Sequence, residues 1–254
     1  MGCVFDQKLA MLYGAWEKSR EGLLVDRLST ELIIHLLRPQ RGERILDVGC
    51  GSGNHLLLFH RLGLDVTGLD ASPYMLDIAR SRLGNKVTLK MGRAEDLPFE
   101  DNEFDAASLI LTLEFLDDPL AALQEVGRVT KHRVFVGVLN GLSPGCFGRK
   151  CYAVFRNSIF GQMQLLTLWR LRDCVKKACG NVPMKWASVS AGPFSLRRYG
   201  ERSERAPVMQ SSPFGTFLGL AFELTYTLRT ENLPVKQRLK RGAEFPVGSS
   251  GFQV

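Results

Sequence analysis

Residues 45–54 read Ile-Leu-Asp-Val-Gly-Cys-Gly-Ser-Gly-Asn: an apolar run leads into three glycines spaced two apart, and then into a helical stretch. No other segment limits the fold so tightly. Glycine lets a backbone turn sharply and approach a ligand where a Cβ would collide. A strand feeding such a turn and then a helix opens a parallel sheet whose ligands sit beyond the carboxyl ends of the strands. The same rhythm continues downstream. Apolar runs at 44–49, 65–70, 86–91, 104–111 and 133–139 predict strands, with helices predicted at 54–62, 73–83 and 119–129. Ser72 before Pro73 is an N-cap followed by a first-turn proline. This alternation predicts an α/β architecture, a doubly wound, mostly parallel sheet with helices on both faces.

Two helices are expected ahead of that core, at 6–20 and 21–38; the first carries Leu9, Leu12, Tyr13 and Trp16 at helical spacing. After Asn140 the rhythm breaks. Residues 141–161 contain Gly, Pro and aromatics, 164–178 reads as a helix, and 184–189 and 217–228 read as final strands.

The turn itself discriminates between ligands. Dinucleotide folds use G-x-G-x-x-G with pyrophosphate on the helix N-terminus. Here the spacing is G-x-G-x-G, and Asp47 stands two residues ahead of the first glycine. A carboxylate there repels pyrophosphate and suits an ammonium group. Asp70, at the end of the second strand, is placed to accept hydrogen bonds from ribose hydroxyls, a feature that fits NAD equally well. It also suits a plain helix-flanking cap.

These residues resemble the class I S-adenosylmethionine-dependent methyltransferases. Asp47–Gly53 matches their first motif, Leu69-Asp70-Ala71-Ser72 the second, and Arg93-Ala94-Glu95-Asp96-Leu97-Pro98-Phe99 the segment along the adenine. Phe104-Asp105-Ala106-Ala107 and Leu111-Thr112-Leu113-Glu114 match the fourth strand and the loop after it. The resemblance spans about residues 13–140 and is greatest to the small-molecule branch typified by ubiquinone/menaquinone-biosynthesis methyltransferases. It implies a seven-stranded Rossmann-like sheet with an antiparallel final strand, S-adenosyl-L-methionine as cofactor, and defined roles. Asp47, Gly49 and Gly51 would hold the methionine end, Asp70 and Ala71 the ribose, and Ala94 and Glu95 the adenine. Met75 would pack on the adenine's other face, and Leu111 lies where the fourth strand meets the cofactor. Trp16 and Tyr13 would close over it, unless they are ordinary helix-face core.

Methyl transfer from a sulfonium needs mainly positioning and exclusion of water, so the fold reveals no obligatory catalytic residue. Glu114 is the catalytic candidate near the methyl, with His55 and Asn140 as further polar groups; a capping role for Glu114 and a ligand-free helix face for His55 are the plainer readings. An apolar wall of Cys146, Phe147, Tyr152, Phe155 and Phe160, with Arg149, Lys150 and Arg156 nearby, predicts a small hydrophobic acceptor that can carry negative charge.

Charge is uneven: residues 1–140 carry 16 Lys+Arg and 20 Asp+Glu, whereas residues 141–254 carry 17 and 6. That split fits an anionic acceptor, peripheral membrane contact, or simply a solvated basic face. No RNA-binding module is recognisable, so no nucleic-acid partner is expected. The cysteines read as free thiols and no metal is expected. Asp6, Lys8 and Glu17 interrupt any signal-peptide core, which predicts a cytoplasmic protein. The expected layout is one methyltransferase domain over 1–235, comprising a helical cap (1–40), a cofactor-binding core (41–140) and a substrate-side insertion (141–163), followed by a basic, disordered tail (236–254). An RNA or protein methyltransferase, an NAD(P)-dependent oxidoreductase and a non-catalytic cofactor-binding relative are the competing readings.

Overall fold

The computed structural model describes residues 4–143, 163–189 and 209–224. Two helices open the chain, α1 (Gln7–Glu17) and α2 (Arg20–Leu32). Asp6 and Ser19 cap them, accepting from Leu9 N at 2.8 Å and Gly22 N at 3.1 Å. A π-turn, Ile33–Leu37, extends α2 and stops at Arg38, which takes φ 50° ahead of Pro39.

The alternating core follows as β1 (Arg44–Val48), α3 (Asn54–Arg61), β2 (Asp65–Asp70), α4 (Pro73–Leu83), β3 (Thr88–Met91), β4 (Phe104–Ile110), α5 (Pro119–Val129) and β5 (Thr130–Leu139). The expected Ser72 cap is present, accepting from Met75 N at 3.3 Å. Strand β5 starts three residues earlier than its apolar run because the chain passes directly from α5 into the sheet. Then come α6 (Leu168–Cys179), β6 (Met184–Val189), β7 (Met209–Gln210) and β8 (Phe217–Glu223).

Helix α6 begins four residues later than its periodicity predicts. Gln164 N donates to Glu114 O at 2.7 Å and Gly141 N to Leu166 O at 2.8 Å, so this stretch is held extended against the ends of β4 and β5. Thr167 then caps the helix.

The sheet order is β3-β2-β1-β4-β5-β8-β6-β7. Strands β1 to β5 are mutually parallel, and β8 inserts antiparallel between β5 and β6. Seven strands were expected; the eighth is the two-residue edge strand β7, too short to leave a periodic signal. Strand periodicity sends Leu46 and Val48 to the face covered by α5 and α6, where they meet Leu123, Val126, Leu171 and Val175. Ile45 turns to the face covered by α2, α3 and α4, among Leu28, Phe59 and Leu76. Each such fully buried side chain contributes roughly 1.5–3 kcal/mol. Both faces of the sheet are covered by helices, and the carboxyl ends of β1, β2 and β4 are left to border a cleft.

Residues 144–162 of the insertion expected at 141–163, and all of the tail expected at 236–254, lie outside the described residues. Among the described residues, no helix is long and apolar enough to cross a membrane, and no group of three His, Cys, Asp or Glu could hold a metal.

Candidate functional site

The glycine turn is tied to the neighbouring strand: Gly49 N and Cys50 N both donate to Leu69 O, at 2.7 and 3.0 Å. Gly49 has φ 73°, and a Cβ there would stand 2.5 Å from the Thr112 side chain. Thr112 is fixed in turn, donating from Oγ1 to Val48 O at 2.9 Å. Gly51 has φ 53° and donates its N–H to Asp70 Oδ2 at 2.8 Å. Ser72 N donates to the other oxygen, Asp70 Oδ1, at 2.8 Å. Burial raises the Asp70 carboxyl above its ordinary pKa, and backbone N–H groups of Ser72, Gly51 and Ala71 draw it back.

Above this turn lies a first cleft of about 620 Å³. Gly49, Gly51, Asp70 and Ala71 form its polar floor, and Met75 and Ala94, with Leu69, supply apolar walls. These residues come together as the sequence motifs imply. Leu111 lines the cleft too; it is held at φ 54° with its N–H on Gly137 O at 2.8 Å. A non-glycine residue in that region costs about 1–2 kcal/mol, strain of the kind stored at ligand sites. Tyr13 covers the cleft as expected, but sequence reasoning missed its partners Phe5 and Phe115. Phe5 lines the cleft, packs edge-on against Phe115 (centroids 5.1 Å apart) and Tyr13 (5.6 Å), and accepts at its carbonyl from Ser72 Oγ at 2.6 Å.

Tyr13, Gly49, Gly51 and Leu111 also border a second cleft of about 430 Å³, beneath α1 and α2. Its lining is polar: Glu17, Asp26, Ser29, Ser52, Asn54 and His55. Glu17 Oε1 accepts from Ser52 Oγ at 2.6 Å and Asn54 Nδ2 at 3.0 Å. Arg82 reaches in from α4, donating to Asn54 Oδ1 and to Ser52 Oγ and lying 3.9 Å from Glu17 Oε2. Burial raises the Glu17 and Asp26 carboxyls. Burial, reinforced by these carboxylates, drives the Tyr13 hydroxyl far above its usual range. His55, set aside in the sequence as a helix-face residue, is held neutral, its pKa lowered by burial to about 4. Glu17 had one faint sequence signal, its position one helical turn beyond Tyr13.

Trp16 lines this second cleft, not the first, and leans on Tyr13 with ring centroids 5.4 Å apart. Asp47 lines neither. It is 2 % exposed, accepts from Ser108 Oγ at 2.6 Å, and is pushed up to about 7 by burial. The reason is register: between Gly68 and Ser108 in the ladder, its side chain falls on the covered face with Ile45. Glu95 also lines neither cleft; it pairs with Arg93 at 3.3 Å. Glu114 is fully buried and lines neither. Its Oε1 accepts from Leu139 N at 2.8 Å, while Oε2 has no hydrogen-bond partner among the described residues, and burial raises its pKa to about 7. It clasps the end of β4 to the end of β5. Asn140 is equally committed, donating to Pro213 O and Gly215 O and accepting from Leu142 N. The acceptor wall expected at Cys146, Phe147, Tyr152, Phe155 and Phe160, with Arg149, Lys150 and Arg156, lies outside the described residues.

Comparison with known proteins places this geometry. Residues 46–136 match the family model described as a methyltransferase domain. An uncharacterized methyltransferase of Mycobacterium tuberculosis is 35% identical over 118 residues, covering 46% of this chain and 45% of that protein. The O-methyltransferase resE of Aspergillus sclerotiorum is 31% identical over 150 residues, covering 52% of this chain and 56% of that protein. The chain thus spans about half the length of these curated relatives. Among solved structures, a SAM-dependent methyltransferase of Thermotoga maritima aligns with a TM-score of 0.65 at 22% identity, over 86% of this chain and 97% of that one. One from Aquifex aeolicus aligns with a TM-score of 0.59 at 17% identity, over 87% and 100%. The fold is therefore the Rossmann-like fold of the SAM-dependent methyltransferases.

Proposed function

We propose that this chain transfers a methyl group from S-adenosyl-L-methionine to a small, largely apolar acceptor. One observation carries the reading: a carboxylate, Asp70, stands on the floor of an apolar slot, directly beside a turn whose glycines leave no Cβ in the way. A dinucleotide needs room and N–H donors for pyrophosphate at that turn, but Gly51 N is already given to Asp70, and Gly49 N and Cys50 N to Leu69. A cofactor without phosphate suits the turn better.

In this reading Asp70 holds the ribose hydroxyls, Met75 and Ala94 flank the adenine, and the glycine turn supports the methionine end. When bound, the cofactor supplies a methyl already activated by its sulfonium. The protein's own part is to position the acceptor and exclude water. Tyr13, Phe5 and Phe115 close the first cleft, and α1 and α2 roof the second. The N-terminal cap, core and insertion acting as one catalytic unit up to about residue 235 belongs to the same proposal, as does kinship with the quinone-biosynthesis branch, which rests on sequence motifs alone. Glu114 supports the site by clasping two strand ends and does not act on the methyl.

The described part of the second cleft carries the carboxyls of Glu17 and Asp26, and Arg82, which reaches it from α4, is already held by Ser52, Asn54 and Glu17. That lining favours a neutral or cationic acceptor over an anionic one. Incubating the full chain with methyl-labelled cofactor and a metabolite extract tests the reading: a labelled product should form together with S-adenosylhomocysteine. Binding of NADH in place of adenosylhomocysteine would reverse it in favour of an oxidoreductase.

A further inference from the structure

His55 stands at the second position of α3, with its ring in the second cleft. Its Nε2 lies 2.9 Å from Ser29 Oγ, and the same Oγ lies 2.8 Å from Asp26 O. A serine hydroxyl has one hydrogen. Both contacts are hydrogen bonds in one arrangement only: Ser29 donates to Asp26 O, and His55 Nε2–H donates to Ser29. The second ring nitrogen, Nδ1, then carries a lone pair and no proton. It has no hydrogen-bond partner among the described residues.

The groups around it are of both kinds: the Glu17 and Asp26 carboxyls accept, while the Tyr13 hydroxyl and the Cys50 thiol carry hydrogens. Glu17 and Tyr13 face the cleft from α1 and Asp26 from α2; Cys50 and Asn54 border it from the turn and α3, and Arg82 from α4 is engaged by Asn54, Ser52 and Glu17. Burial keeps the Cys50 thiol protonated and His55 neutral. Any group that meets Nδ1 must bring a hydrogen. The cleft shares Gly49, Gly51 and Leu111 with the first, so a molecule in it lies next to the methionine end of the proposed cofactor.

Building on the methyl-transfer reading, we propose that His55 is the acceptor-side catalytic residue: its Nδ1 accepts a hydrogen bond from an O–H or N–H nucleophile and takes that proton during transfer. The nucleophile's lone pair forms the new bond to the methyl carbon. The carbon–sulfur bond breaks with its electron pair remaining on sulfur, neutralising the sulfonium. The O–H or N–H proton moves to Nδ1, giving an imidazolium that faces Glu17 and Asp26 and then releases the proton to solvent. The acceptor class is thereby narrowed to hydroxyls and amines.

The test is nitrogen NMR on the full chain with labelled histidine, first alone and then saturated with S-adenosylhomocysteine. At neutral pH, His55 should show an unprotonated Nδ1 and a protonated Nε2. Ser29→Ala should weaken that tautomer preference. Two probes follow on the adenosylhomocysteine complex: p-cresol, which has an O–H, and its methyl ether, which has none. p-Cresol should shift the Nδ1 resonance and bind about three- to tenfold more tightly than the ether, the worth of one neutral hydrogen bond. A protonated Nδ1, or equal responses to the two probes including no response to either, overturns the proposal. Failure of adenosylhomocysteine to bind would instead remove the methyl-transfer reading, and the tautomer measured on the free chain would still stand on its own.

Discussion

The two clefts that meet at Tyr13 are built on opposite principles. The first is an apolar slot in which the one carboxylate among the described residues, Asp70, is already anchored by backbone N–H groups. Such a site is preorganised: its polar group does not move when a ligand arrives, and desolvated carbon supplies the affinity. The second is lined by carboxylates, hydroxyls and an imidazole contributed by three helices. Its groups satisfy one another through Ser52, Asn54 and Ser29. The first can bind one shape tightly, and the second can sort molecules by the hydrogens they bring. In the proposed reading, cofactor binding and acceptor choice fall to two separate clefts that share a wall at Tyr13, Gly49, Gly51 and Leu111.

The largest expected effect comes from filling the shared floor. Gly49→Ala places a Cβ against Thr112 at a positive φ, and strain plus overpacking should cost about 2–5 kcal/mol of stability. Urea denaturation should show it, and calorimetry should find adenosylhomocysteine binding lost. A stable variant that still bound would mean the turn is not the floor of the first cleft.

The next effect separates Asp47 from Asp70, both expected from the sequence to hold the cofactor. Asp47 is raised to about 7, above an unfolded value near about 3.9. The folded chain therefore holds a proton that the unfolded chain releases between those values. That contribution to stability is full below about pH 4 and is lost as pH rises through about 7. Asp47→Asn keeps the acceptor for Ser108 and removes the titration. Relative to the wild type, the variant should gain about 2–3 kcal/mol between pH 5 and pH 8, read from urea midpoints at each pH.

The smallest effect tests the lid. Phe5→Ala removes an edge-on ring from the wall of the first cleft and should weaken adenosylhomocysteine binding about three- to tenfold, the worth of an aromatic contact. The histidine tautomer of the second cleft should not change. A variant that altered the tautomer would show that the clefts are not independent.

The first cleft was largely legible in the sequence because its parts are contiguous. A strand, a glycine turn and a capped helix each leave local signatures, and Ser72-Pro73 marked the start of α4 to the residue. What escaped was set by direction rather than position. Asp47 stands in the expected strand, but the two-residue period turns it into the covered face. Glu114 lies at the expected loop, but turns inward to clasp β5. The second cleft was nearly invisible: Glu17, Asp26, Ser29 and His55 come from three helices, and only tertiary packing brings Ser29 and His55 together across 26 residues of chain.

The central claim is that Asp70 and the glycine turn form the seat of an adenosylmethionine-type cofactor. Isothermal titration of S-adenosylhomocysteine into the wild type and Asp70→Asn tests it directly. One-to-one binding to the wild type is predicted, weakened roughly 10- to 150-fold in the variant, the range for losing hydrogen bonds to a charged group. No binding to the wild type, or equal affinity in the two proteins, would contradict it.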